Sequence, residues 1–204
     1  MGVLYIESDE RGAGKTALCV SLAHSLASRG IKTAVFKPFS VTPKDDPDSD
    51  IYQALLGQQK SEWPFLAPKG DLTPEVTEKI INALRMVQEN QDTLIVEGSS
   101  SLSNAASANL VELLDAKTLV VLRYRSELDT SKLKSLKTMF GDRFVGVVTN
   151  GLTQYQKHTA NSKVVTSMES EGITSLGLIP EDRQLLAPTV EQLATHLNGR
   201  FTVG

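Results

Sequence analysis

The chain has 204 residues, 40% of them hydrophobic and 22% charged, and a net charge of −3. That length suits one domain, or at most two, and suffices to bury about 70% of the unfolded surface. The near-balanced charge speaks against a broad nucleic-acid footprint, and no apolar run approaches the ~18 residues of a membrane span.

The single cysteine, Cys19, excludes an internal disulfide and fits a reducing cytoplasm, which is the expected location. It is read as a small core residue. The three histidines, His24, His158 and His196, lie far apart and form no metal pattern. No signal peptide is expected ahead of Val3.

In chain order, Val3–Ile6 reads as a buried strand. Lys15–Arg29 reads as a helix with Leu18, Leu22 and Leu26 on one stripe, capped by Gly30. Thr33–Phe36 is a second strand, ended by Lys37 and Pro38. Phe39 to Asp50, with two prolines and four aspartates, reads as a loop too polar to build core. A short helix is expected over Ile51–Leu56, stopping at Gly57. Gln58 to Leu72 reads as irregular, with Trp63 and Phe65 packing the loop down or making a dimer contact.

Thr73 and Pro74 start a helix that runs to about Glu89, the threonine as cap and the proline in the first helical position. Thr93–Val96 is a strand ending in Glu97 and Gly98, followed by a serine-rich loop from Ser99 to Ser107. The remaining expectations are a helix at Asn109–Leu114, a strand at Thr118–Leu122 and a helix at Leu128–Phe140. They continue with a strand at Phe144–Val148, a helix at Lys157–Glu171, a strand at Thr174–Ile179 and a helix at Val190–Leu197.

Strands and helices alternate throughout, and the strands are continuous apolar runs with no period of two. That pattern predicts an α/β fold: a doubly wound, mostly parallel sheet with helices on both faces. Ligands of such sheets sit beyond the carboxyl ends of the strands. The candidate residues there fall at Glu7 to Thr16, Lys37, Glu97, Asn150 and Pro180 to Asp182, expected to share one crevice.

The first of these stretches has the layout of a phosphate-binding loop. Val3–Ile6 enters a polar loop that ends in Gly14-Lys15-Thr16 and opens into a helix. Backbone N–H groups from Arg11, Gly12, Ala13, Gly14, Lys15, Thr16 and Ala17 are expected to wrap phosphate, with the helix dipole behind them. Lys15 supplies a point charge to the β- and γ-phosphates, and Thr16 a hydroxyl to Mg²⁺. The usual pattern places its first glycine where Asp9 stands.

Each other candidate has two readings. Glu97 is either a magnesium-binding acid or a solvated strand-end acid. Asp50 is either a metal ligand or the cap of the helix after it. Lys37 is a second cation near the transferred phosphoryl group or a surface charge. Arg11 reaches phosphate, across the site or a dimer interface, or faces solvent. Asn150 reads an adenine edge or makes an Asn-Gly turn. Ser99, Ser100 and Ser101 bind an anionic substrate or form a polar loop.

Five segments occur in a fixed order: Gly14-Lys15-Thr16, Phe36-Lys37-Pro38, Val96-Glu97-Gly98, Gly146 to Asn150, and Leu176 to Pro180. Together they resemble the dethiobiotin synthetase-like family of P-loop proteins. Leu178 to Arg183, running into Leu185 to Thr189, looks most like the branch found at the N-terminus of some phosphotransacetylases.

The resemblance implies Mg-ATP binding. Thr16, Asp50 and Glu97 would form the metal site, Lys15 and Lys37 would be the catalytic cations, and Asn150, Pro180 and Glu181 would frame the adenine. It implies one P-loop domain over 1–204, which suits a piece of a longer chain. The expected partners are a nucleotide, a small-molecule substrate and a second copy, with no nucleic acid or membrane.

Two stretches depart from the enzyme pattern. Phe39-Ser40-Val41 follows Lys37-Pro38 in place of small residues, and three serines follow Gly98 in place of Ala-Gly-Gly. The expected role is therefore a slow ATPase serving as a regulatory or accessory module. The alternatives are an ATP-dependent ligase or carboxylase and a dimeric partition-type switch.

Overall fold

The six expected apolar runs line up as one parallel sheet because each is apolar on both faces. The computed structural model describes residues 2–57, 64–68, 70–125, 129–153, 157–182 and 190–200. Its first half holds β1 (Gly2–Ser8), α1 (Lys15–Ala27), β2 (Thr33–Phe36), β3 (Phe39–Ser40), α2 (Pro47–Leu56), β4 (Phe65–Leu66) and α3 (Pro74–Gln88). Then come β5 (Thr93–Glu97), α4 (Asn104–Leu113), β6 (Lys117–Arg123), α5 (Thr130–Phe140), β7 (Phe144–Leu152), α6 (Lys157–Glu169), β8 (Ser175–Pro180) and α7 (Val190–His196).

The large sheet runs β2-β5-β1-β6-β7-β8, with every neighbouring pair parallel. β1 lies at its centre, so the loop that follows it emerges from the middle of the carboxyl edge. In β1–β5 pairing Ile6 stands opposite Glu97, which puts Glu97 beside the start of that loop.

Alternate strand residues serve opposite faces. Tyr5, Leu94, Val96 and Val120 join α3, α4, α5 and α6 in one core. Ile6, Ile95 and Val121 join α1 and α2 in the other, with Cys19 and Tyr52 inside it. Leu18 of the expected α1 stripe is buried there, and Leu22 and Leu26 pack against it. Each fully buried aliphatic side chain of this kind contributes roughly 1.5–3 kcal/mol.

Two expected loops are structured. The stretch after Pro38 contributes β3, which pairs in parallel with β4 as Phe39 opposite Phe65. Phe39 is fully buried, and Ser40 and Asp46 are buried as well. α2 starts at Pro47, four residues ahead of the expected Ile51, because Asp46 caps it by accepting from the Ser49 N–H at 3.0 Å. Asp50 is therefore not the cap; it lies in the first turn of α2.

Likewise α4 starts at Asn104, inside the expected serine loop. Ser103 caps it, accepting from the Ala106 N–H at 3.1 Å. The other expected helices shift at their ends by a turn or less: α1 stops at Ala27 and α6 at Glu169. Trp63, Leu128 and the stretch from Arg183 to Thr189 lie outside the described residues. No helix among the described residues is long and apolar enough to cross a membrane.

Candidate functional site

The loop between β1 and α1 takes its shape from two glycines and from the strands beside it. Gly12 and Gly14 have φ of +77° and +105°, a region that side chains disfavour. A Cβ on Gly14 would also lie 2.3 Å from Nδ2 of Asn150. Asp9, where the usual loop pattern has glycine, is not among the residues of positive φ. Its N–H donates to the Val121 carbonyl at 3.3 Å, and its carboxylate accepts from the Arg123 N–H at 3.2 Å. An aspartate thus fits that position without strain and fastens the loop to the end of β6.

More ties follow on the same side. Asn150 donates to the Ala13 carbonyl at 2.9 Å, Arg123 to the Gly12 carbonyl at 3.3 Å, and Lys132 to the Asp9 carbonyl. Arg125 pairs with Glu10 at 2.5 Å. On the inner side Lys15 is buried, and its Nζ donates to Ser8 Oγ at 2.7 Å.

Where the loop becomes α1, oxygens from three elements converge. Thr16 Oγ1 lies 2.8 Å from Glu97 Oε1 and 3.1 Å from Asp48 Oδ1. The Tyr52 hydroxyl donates to the other oxygen of Glu97. Gly98 lets Glu97 sit there: a Cβ at position 98 would meet the Tyr5 hydroxyl at 2.7 Å and the Ile6 carbonyl at 2.9 Å.

The second oxygen of Asp48 accepts from Lys37, which also pairs with Asp46 at 2.7 Å. Asp46 in turn accepts from Ser40 Oγ at 2.7 Å. Burial raises the Glu97 pKa and the nearby Asp48 charge raises it further, outweighing the hydrogen bonds it accepts. Burial lowers that of Lys37, but the hydrogen bonds to Asp46 and Asp48 outweigh it and leave the ammonium favoured.

The oxygen cluster can be tested for a dication. Thr16 has one proton for two carboxylate oxygens, both within hydrogen-bond distance, so one close contact is left without a proton. In an octahedron with metal–oxygen distances of about 2.0–2.1 Å, neighbouring oxygens sit about 2.9 Å apart. The observed 2.8 and 3.1 Å bracket that spacing, and all three groups are hard oxygen donors. Thr16, Asp48 and Glu97 therefore fit Mg²⁺. Among the described residues no three His, Cys, Asp or Glu side chains group to hold a metal, so the hydroxyl is needed to complete this set.

The expected single crevice is two cavities, with the loop between them. One, of about 700 Å³, is lined by Arg11, Lys15, Thr16, Lys37, Asp48, Glu97 and Ser99 to Ser101, with an apolar wall of Val41, Ile51 and Leu55. The buried Phe39 forms part of that wall and leaves the cavity open. The other, of about 690 Å³, is lined by Ala13, Arg123, Tyr124, Asn150, Pro180, Glu181 and Asp182. Gly12, Gly14 and Ala17 border both.

Asp50 is the candidate that the fold does not bring to the oxygen cluster. It is exposed on α2, and Asp48 stands beside Thr16 in its place. Sequence reasoning missed Asp46, Asp48 and Tyr52. Their signal was Pro47 behind an aspartate, the mark of a helix start, which puts Asp48 and Tyr52 four residues apart on one face.

A parallel α/β sheet, a glycine loop after its central strand and Gly-Lys-Thr opening the next helix define a P-loop protein. The profile of a family described as an AAA domain matches residues 3–189, and the chain belongs to that family. It is 24% identical over 226 residues to a phosphate acetyltransferase of Haemophilus influenzae, covering 91% of this chain but 32% of that one. The chain thus spans about a third of that relative's length.

It is 26% identical over 194 residues to the ATP-dependent dethiobiotin synthetase BioD of Hydrogenobaculum sp., covering 84% of this chain and 87% of the relative. The expected kinship with dethiobiotin synthetases and phosphotransacetylases is borne out. Among solved structures, chloroplast FtsY from Physcomitrella patens matches with a TM-score of 0.60 at 16% identity, covering 90% of this chain and 62% of that one. At that identity the likeness concerns the fold.

Proposed function

We propose that this chain binds Mg-ATP, hydrolyses it slowly, and acts as a nucleotide-dependent accessory module of the kind joined to phosphotransacetylases. The observation that carries this reading is the convergence of Thr16, Glu97 and Asp48 at the end of a glycine loop that also holds Lys15. The loop N–H groups and the α1 dipole would take the phosphates, and Asn150, Pro180 and Glu181 would border the base. Mg²⁺, held by Thr16, Asp48 and Glu97, would supply positive charge against the phosphates. Lys15 and Lys37 would add cations to the same region. The match to about a third of a phosphate acetyltransferase supports the accessory role.

A second reading is an ATP-dependent ligase or carboxylase acting on a small molecule. The 700 Å³ cavity beside Lys37 and the serines favours it, since it offers room next to the γ-phosphate position. Calorimetry with ATP, with and without Mg²⁺, tests the first reading, and a folded protein that binds no nucleotide overturns it. Incubation with diaminopelargonate, bicarbonate and Mg-ATP, read by mass spectrometry, separates the two. The expected result is no dethiobiotin; formation over many turnovers would put the ligase first.

A further inference from the structure

The geometry points to Tyr52 as the residue that sets metal selectivity at this site, by holding one oxygen of Glu97 so that the carboxylate can offer only the other. This rests on the reading of Thr16, Asp48 and Glu97 as the metal donors.

Tyr52 is nearly inaccessible, at 5% exposure, and its ring packs in the core formed by α1, α2 and the sheet. Its hydroxyl donates to Glu97 Oε2, while Oε1 faces Thr16 Oγ1 at 2.8 Å. The neighbouring Cys19 thiol is the weaker acceptor, so the phenolic proton goes to the carboxylate. Asp48 and Tyr52 stand four residues apart on α2, and both reach the same hydroxyl–carboxylate pair.

The division of the two oxygens has a chemical consequence. Mg²⁺ demands a small octahedron and takes carboxylates through single oxygens, whereas Ca²⁺ accommodates six to eight ligands and takes carboxylates in bidentate fashion. A Glu97 with one oxygen already occupied suits the smaller ion. Without the tyrosine hydroxyl both oxygens can turn to the cation, which favours Ca²⁺. Tyr52 is thus a positioning residue acting through Glu97.

The test is Tyr52→Phe, which keeps the ring and deletes the hydroxyl. Affinity for a non-hydrolysable ATP analogue is measured by calorimetry in Mg²⁺, in Ca²⁺ and in EDTA, alongside a thermal melt. The expected result is unchanged affinity in EDTA and a preference for Mg²⁺ over Ca²⁺ reduced about tenfold, the scale of outer-shell effects.

An unchanged preference in a metal-dependent protein overturns the role of Tyr52 and leaves the metal site standing. Equal wild-type affinity in all three conditions overturns both. Loss of affinity in EDTA as well makes Tyr52 a packing residue. If the variant does not fold, infrared difference spectra of the wild type decide. A wide carboxylate band splitting kept with Ca²⁺, typical of one-oxygen binding, supports the role, and a narrow bidentate splitting with Ca²⁺ overturns it.

Discussion

The two cavities flanking the phosphate loop are nearly equal in size, about 700 and 690 Å³, yet their polar groups are used differently. On the Lys37 side, charged side chains bond to other side chains: Lys37 to Asp46 and Asp48, Glu97 to Thr16 and Tyr52. On the Asn150 side, Asn150 and Arg123 are tied to carbonyls of the loop backbone. One cavity arranges charge, and the other fixes the shape of the loop. Substitutions on the two sides therefore have different signatures.

The largest effect is expected in the phosphate loop itself, on the Lys37 side. Lys15→Ala removes a charge-assisted contact to phosphate, worth about 1.5–3 kcal/mol, and ATP affinity should fall roughly ten- to a hundred-fold by calorimetry. Unchanged affinity in the folded variant would break the comparison outright, since the loop would then not hold phosphate.

Next comes Glu97→Gln, which keeps the shape and removes a charge on the Lys37 side alone. The expected loss is about tenfold in Mg²⁺ and negligible in EDTA. Equal losses in the two conditions would make Glu97 structural. Asn150→Ala is the counterpart on the other side. It deletes a hydrogen bond worth about 1 kcal/mol, so affinity should fall about fivefold, by the same factor with and without metal. A loss confined to Mg²⁺ would mean that the two cavities are not separate.

The smallest effect is one of pH on the Lys37 side. Burial pushes the Asp46 pKa up, but hydrogen bonds from Lys37 and Ser40 pull it down further, leaving it below the ordinary aspartate value. The folded state then binds fewer protons than the unfolded chain. The stabilisation is complete above about pH 4, the unfolded value, and disappears as pH falls through the lower folded value. Asp46→Asn keeps an oxygen for the α2 cap and removes this dependence. Thermal melts should show a shallower acid limb, the two proteins differing in slope by about 2–4 °C over that range. Parallel limbs would mean that the Lys37 pair adds nothing to folding.

The sheet was legible because both of its faces are covered. Residues such as Tyr5 and Ile6 serve opposite cores, so the strands read as unbroken apolar runs. The loop was legible because its parts are contiguous in sequence. What stayed hidden lies where a polar composition masks a buried role. Asp46 is acidic and looked solvated, yet it is itself buried, caps a helix and pairs with the partly buried Lys37. Phe39 stands where the enzyme pattern has small residues, but its ring packs into the core. Tyr52 bears on the site only once α2 starts at Pro47, since its phase relative to Asp48 depends on that start. The serines before α4 read as loop by composition, although Ser103 is its cap.

The tight fit around Gly98 gives the oxygen cluster a lopsided mounting. Glu97 ends a strand whose next residue donates to the Ile6 carbonyl at 2.9 Å, so it is clamped to the central strand of the sheet. Asp48 rides instead on a ten-residue helix at the rim of a cavity. One jaw of this vice is set in the sheet and the other on a helix outside it. Amide hydrogen exchange should register occupancy of the site in α2, while β5 stays silent whether the site is full or empty.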